Sequence, residues 1–333
     1  MAPVAAFEPT DRVPLGGRTG LSVTRLGLGL APIGGLYAEV GDAAARATVD
    51  AAWEAGLRLF DTAPLYGHGL SERRTGEALR DRPRGEFVLC TKAGRNLVPG
   101  EGGEQAFWAE DSGLVPVFDY SRDGVLRSIE DSLTRLGLDR LDVVHIHDPD
   151  RHWDDAISGA ARALAELRDQ GVIGAVGAGM NQSAMLADFV RAGAVDVVLL
   201  AGRYTLLDQS GDADLLPLCQ REGVGVILGG VYNSGLLADP SAQSTYDYAK
   251  AAPEVLARAV AIRDVCARYD VPLRAAALRF SSAHPAVSSV VVGARSPEEV
   301  TDNVAMARHA IPAGLWPELQ REGLLGEKAL VPS

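Results

Sequence analysis

The feature that most constrains this chain is a rhythm. Short apolar runs recur at 26–30, 57–61, 87–92, 141–147, 172–177, 195–200, 224–228 and 289–292. Amphipathic segments occupy 43–55, 71–79, 122–136, 154–169, 182–192, 214–222, 253–269 and 296–309. Short apolar runs bounded by turn residues read as buried strands, and apolar positions at helical spacing read as helices. Strands separated by helices cross over in one hand and therefore lie parallel. The pattern predicts an α/β fold, a (β/α)8 TIM barrel, because eight such units close into a barrel whose chemistry sits on the loops that follow the strands.

Local signals agree with the rhythm. Ser71 is placed to cap the helix over 72–79, Ser296 with Pro297 to cap the last one, and Gly171 follows the helix ending near Gln170. Pro14, Gly16, Gly17 and Gly20 break residues 12–24 into a small hairpin. Two connections outrun the rhythm, 94–120 after the third strand and 230–252 after the seventh. Loops of that length in a compact domain are commonly functional, and on a barrel these two belong to the active-site face. No linker or charge block divides the chain, so a single domain over 1–333 is expected: hairpin at about 12–24, barrel at about 26–309, tail at 310–333.

With a net charge of −12, a nucleic-acid backbone or an anionic membrane is a poor partner. No apolar run reaches the roughly 18 residues that span a bilayer, and residues 1–10 lack the basic start and apolar stretch of a secretory signal, so a cytoplasmic location is expected. Cys90, Cys219 and Cys266 are odd in number and scattered, which fits neither a disulfide framework nor a zinc ribbon. Cys90 reads as a core thiol. Oligomeric state is not legible, because an outer helix face that pairs with another chain has the pattern of one that packs inward.

The ends of the strands carry the chemistry. Asp61 closes the second run, with Tyr66 and Gly67 shortly after it; Lys92 closes the third, and His147 the fourth. A lone charge buried at a strand end loses its hydration without return, so Asp61 and Lys92 are expected to face each other. His145 and His147 share a strand face, and such a pair also suits a metal, which leaves a metal-dependent hydrolase as a rival reading. The other strand ends offer no further histidine.

The motifs DTAPLYG (61–67), CTKAG (90–94) and HIHDP (145–149) resemble those of the aldo-keto reductase superfamily, in order, from about Arg12 to His309. The resemblance implies a catalytic tetrad of Asp61, Tyr66, Lys92 and His147, a hairpin that closes the bottom of the barrel, and hydride transfer with NAD or NADP and no metal. Tyr66 would act as general acid or base, helped by Lys92, with His147 donating to the substrate oxygen. GRYTLLDQ (202–209) and VYNSGLL (231–237) resemble the sugar-oxidising branch, which implies oxidation of an aldose of the L-fucose or D-threo type at C1. A general NADPH-dependent aldehyde or ketone reductase stays open beside it, as does a non-catalytic regulatory subunit.

No Gly-x-Gly-x-x-Gly follows the first strand. Barrels often hold phosphate at the loops after strands seven and eight. Here those loops offer Asn233, Ser234 and Gly235, then Gly293, Ala294 and Arg295 leading into a helix N-terminus. The resemblance implies that Asn181 bonds the nicotinamide carboxamide and Asn303 the adenine. It departs from the family at Met180, near Gly229 and at 199–201, leaving Tyr204 and Tyr232 as candidates beside the nicotinamide. Glu299, next to Glu298, would repel a 2′-phosphate, with Arg295 as an offset, so NAD is favoured over NADP. Trp108, His145 and Trp153 are the candidate contacts for a small-molecule sugar or carbonyl substrate.

Overall fold

The structure, a computed structural model, describes residues 7–100, 107–109, 112–241, 243–247, 249–327 and 329–332. The chain opens with an antiparallel hairpin, β1 (Arg12–Pro14) and β2 (Ser22–Thr24). Eight strands then form one closed barrel, β3 (Leu26–Gly29), β4 (Leu59–Asp61), β5 (Val88–Ala93), β8 (Leu141–His147), β9 (Ile173–Met180), β10 (Val197–Ala201), β11 (Gly225–Gly229) and β14 (Val287–Gly293). Every pairing in the barrel is parallel, and β14 closes onto β3 with Val290 opposite Leu26. The helices between them are α1 (Asp42–Glu54), α2 (Leu70–Leu79), α3 (Arg122–Leu136), α4 (Trp153–Asp155), α5 (Ala161–Asp169), α6 (Ser183–Arg191), α7 (Leu215–Glu222), α8 (Pro253–Arg268), α9 (Leu273–Ser281) and α10 (Pro297–Arg308), with α11 (Leu315–Arg321) last. Among the described residues no helix is long and apolar enough to cross a membrane.

Strand alternation divides the apolar residues between two cores. Leu59, Val88, Cys90, Val143, Ala175, Val197, Leu199, Ile227 and Val291 face inward. Leu28, Phe60, Leu89, Val144, Val176, Val198, Val226 and Val290 face outward against the helices. The hairpin supplies Leu15 and Val23 to the inner cluster and so plugs the barrel at the starts of its strands. Gly16 makes the close approach possible: its φ is +69°, and a Cβ there would sit 2.4 Å from the Gly225 nitrogen.

Several connections differ from the sequence reading. The 94–120 segment holds an antiparallel ribbon, β6 (Arg95–Pro99) with β7 (Leu114–Phe118), and 230–252 holds the short pair β12 (Thr245–Tyr246) and β13 (Ala249–Lys250). The helix expected over 154–169 is interrupted by a π turn at Ala156–Ala160. Helix α9, for which the sequence reading has no separate segment, buries seven of its nine residues. Ser71 is not a cap. Gly69 precedes the helix, and the buried Ser71 hydroxyl donates to the Leu30 carbonyl at 2.8 Å.

Candidate active site

The last inward-facing position of each barrel strand sets the character of the upper mouth. In barrel order these are Gly29, Asp61, Lys92, His147, Gly179, Ala201, Gly229 and Gly293. Three neighbouring strands end in side chains that carry protons. The other five end in glycine or alanine, so no strand end on that side carries a side chain larger than a methyl group, and at Gly293 the Pro32 ring lies where a side chain would stand.

Lys92 Nζ donates to Asp61 Oδ1 at 3.0 Å, to Asp61 Oδ2 at 2.9 Å and to the Thr62 carbonyl at 2.8 Å. Both side chains are nearly inaccessible, and burial pulls each toward neutrality. For Lys92 that pull is outweighed by the charge and hydrogen bonds of Asp61, with hydrogen bonding to Tyr66 adding to them, so its pKa is raised and the ammonium is kept. A second layer fixes the pair from behind. The Thr62 and Ser71 hydroxyls are 2.8 Å apart, and buried Glu72 accepts from Thr91 at 2.6 Å and from Arg135 at 2.7 Å.

Half-buried Tyr66 lies over this pair, with Lys92 Nζ 4.7 Å from its ring centroid. Its loop is built on close backbone contact: Gly67 has φ +59°, and a Cβ there would stand 2.1 Å from the Gly34 oxygen. The tyrosine ring meets His147 edge-on at 6.1 Å and Trp108 at 5.9 Å. Lys92 lowers the phenol's pKa, as the sequence reading expects, but burial raises it more, so the net shift is upward and the phenol is held protonated.

His147 is buried and neutral, its pKa lowered first by burial and then by the charges of Arg95 and Lys92. Its carbonyl and that of Asp148 both accept from the Tyr120 hydroxyl, at 2.6 and 3.0 Å. Asp148 turns back at φ +44°, bringing Oδ2 to 3.5 Å from His147 Nε2 and 2.6 Å from an Arg95 nitrogen. Arg95, Tyr120 and Asp148 are the site-forming residues that sequence reading missed. Their one signal was position: Arg95 at the start of the long connection, Tyr120 at its end and Asp148 directly after His147.

Two candidate substrate contacts are corrected. His145 has no exposed surface and sits beneath the mouth beside Lys92, its register partner. Trp153 packs on Phe189 at 4.7 Å in the helical layer, where its apolar ring is half-buried. Trp108, by contrast, stands against Tyr66, held by strand-like pairing of its backbone with Leu36. Tyr204 is also removed from the mouth, stacked on Phe280 at 5.2 Å.

The glycine- and alanine-ended side of the mouth is walled by the loops after β11 and β14. Tyr232 donates to Asn303 Oδ1 at 3.2 Å, and Asn303 Nδ2 donates to the Gly293 carbonyl at 3.4 Å, tying the loops together. Asn233, Ser234 and Gly235 run through left-handed backbone, φ +47°, +56° and +92°. Asn233 Nδ2 donates to the Gly202 carbonyl at 3.2 Å, while its buried Oδ1 has no partner among the described residues. Ala294 is buried, and Ser296 caps α10 by accepting from the Glu299 N–H. Glu299 in turn accepts from the Arg295 backbone at 2.8 Å and from its guanidinium at 3.1 Å. Asn181 is half-buried at the end of β9, and Gln182, not Asn181, occupies the cap position of α6.

The metal reading fares less well on geometry. Asp61, Cys90 and His145 bring ligand atoms within 4.8 Å of one another, but His147 is not among them. Asp61 is already engaged by the Lys92 ammonium, which also repels a cation. Burial pushes the Cys90 thiol well up, away from the thiolate that a metal binds.

Comparison with known proteins agrees with this geometry. Residues 25–321 match the Aldo/keto reductase family. The chain is 42% identical over 331 residues to pyridoxal 4-dehydrogenase of Microbacterium luteolum, covering 93% of this chain and 96% of that one. It is 42% identical over 322 residues to D-threo-aldose 1-dehydrogenase of a Pseudomonas species, covering 94% and 98%. An aldo-keto reductase structure from Bacillus halodurans matches with a TM-score of 0.77 at 27% identity, covering 97% of this chain and 98% of that one.

Proposed function

Because this chain belongs to the aldo/keto reductase family and is an oxidoreductase of a family that uses NAD(P), we propose that it moves a hydride between NAD and C1 of an aldose. The observation that carries the reading is the Asp61–Lys92 ion pair set directly under the Tyr66 ring, beside neutral His147. When bound, the nicotinamide supplies or accepts the hydride. In oxidation, C1 loses hydride and its oxygen loses a proton, which Tyr66 receives as phenolate; in reduction Tyr66 donates it back. Lys92 lowers the cost of the phenolate, Asp61 keeps Lys92 charged, and His147 directs an N–H at the reacting oxygen. Trp108 packs beside the Tyr66 ring.

The residues present fit a nicotinamide dinucleotide. The glycine-ended strands admit a flat ring, Asn181 offers hydrogen bonding at their edge, and the unpartnered Asn233 oxygen is a waiting acceptor. Ser234, Gly235, Gly293, Ala294 and Arg295 would hold the phosphates, and Tyr232 with Asn303 the adenine end. NAD is favoured because the Arg295 guanidinium is engaged by Glu299, so a 2′-phosphate would meet a neutralised pair. The equal identity to a pyridoxal dehydrogenase makes an aromatic alcohol the second substrate reading.

The test is absorbance at the reduced-nicotinamide band with NAD or NADP and a panel of aldoses, pyridoxal-type alcohols and simple alcohols, with and without chelator. A rise with NAD and an aldose, indifferent to chelator, is the expected result. Reaction only with NADP removes the cofactor assignment, and silence with every substrate removes the reaction.

A further inference from the structure

Resting on that reading of the site, we propose that Asp148 and Arg95 form a subsite that reads the substrate's non-reacting hydroxyl groups, so that the mouth selects a polyhydroxylated cyclic hemiacetal over a bare one.

The pair stands where such a group would lie. Asp148 Oδ2 is 3.5 Å from His147 Nε2, too long for a full hydrogen bond and close enough to border the oxygen that His147 addresses. The left-handed turn that brings it there is locked, because its own N–H donates to the Gly179 carbonyl at 3.1 Å and Tyr120 holds the carbonyls on either side of the peptide. Arg95 comes from a different element, β6, and its guanidinium lies 4.9 Å over the Phe118 ring.

The pair also has spare capacity. The Asp148 carboxylate meets His147 and Arg95 through Oδ2, leaving Oδ1 as an acceptor, and the buried Arg95 Nε has no partner among the described residues. Its side chains keep 19% and 30% exposure, whereas Lys92 keeps 2%, so it faces the opening rather than the barrel core. A carboxylate acceptor beside a guanidinium donor matches hydroxyl groups, each of which can give one hydrogen bond and take another. His152 continues the wall, its ring tilted against Phe118 at 5.1 Å and Tyr120 at 5.3 Å, and presents an aromatic surface.

The test compares kcat/KM for an accepted aldose with that for 2-hydroxytetrahydropyran, which has the same reacting carbon and no other hydroxyl. Asp148→Asn is the first variant, because asparagine also tolerates left-handed backbone; Arg95→Gln is the second, with urea midpoints confirming the fold of each. The expected result is a fall of roughly tenfold to a hundredfold in the aldose-to-bare-hemiacetal ratio. Among deoxy analogues, the one lacking the hydroxyl read here should lose efficiency with the native protein and lose no more with Asp148→Asn. An unchanged ratio in both variants, whatever the loss in absolute rate, would overturn the subsite and leave the pair as a latch for the ribbon. Native protein inactive with every hemiacetal and alcohol would instead overturn the hydride-transfer reading itself.

Discussion

Lys92 Nζ sits 2.9 and 3.0 Å from the two carboxylate oxygens of Asp61, with side-chain exposures of 2% and 5%. Removing one charge from such a pair strands the other away from water, at a cost of about 3–5 kcal/mol. Asp61→Asn should therefore lower the urea midpoint, and by dropping the Lys92 pKa it should also depress turnover at neutral pH. Urea unfolding and steady-state rates measured on the same preparation check this. Unaltered stability would mean that the pair is not charged in the native protein.

Tyr66→Phe keeps the ring beside Trp108 and His147 and removes the hydroxyl that carries the proton. Turnover should fall by about 10²–10⁴-fold with the urea midpoint preserved. Because burial raises the phenol above its ordinary value of 10.0, the oxidative rate of the native protein should still be climbing at pH 10. A rate profile with a plateau reached near neutrality would remove Tyr66 as the proton acceptor.

His145 carries a different pH signature. Burial, followed by the Lys92 charge, pushes its pKa down to about 3 from an ordinary 6.5. Between those values the unfolded chain binds a proton that the folded chain refuses, so stability is complete above pH 6.5 and falls as the pH falls. From pH 7 to pH 5 the loss should be about 2 kcal/mol for this histidine, with His147 adding in the same direction. His145→Gln should flatten that slope, whatever it does to stability at pH 7; urea unfolding at both pH values measures it.

The barrel and the four clustered residues were legible in the chain because their causes are local. Alternation along a strand puts Leu59 and Asp61 on one face, and the expense of an unpaired buried charge predicts that Asp61 and Lys92 meet. What was illegible depends on the third dimension. Arg95 and Asp148 lie far apart in sequence and meet because β5 and β8, whose ends they follow, are neighbours in the barrel. Trp153 carries the composition of a binding residue, and only the placement of Phe189 turns it into packing. The raised pKa of Tyr66 followed the same rule: the neighbouring lysine could be read in advance, while the depth of burial that outweighs it could not. One signal was present and only partly read: Gly29, Gly179, Gly229 and Gly293 each stand at the last inward-facing position of a barrel strand, and of these only Gly293 was taken as a cofactor contact.

The last prediction concerns Glu299. Its carboxylate takes the Arg295 N–H at 2.8 Å and the guanidinium at 3.1 Å, with both side chains nearly half exposed. An ion pair in that setting is weak, so its value lies in what it denies to a ligand. Glu299→Gln leaves the arginine charge uncompensated near the start of α10, where a 2′-phosphate would be welcomed by both the guanidinium and the helix terminus. The ratio of kcat/KM for NADP to that for NAD should rise several-fold, up to about tenfold, mostly through KM, since the contact is remote from the reacting carbon. If the ratio stays where it was, the 2′ position of the cofactor lies elsewhere, and the charge argument for NAD goes with it.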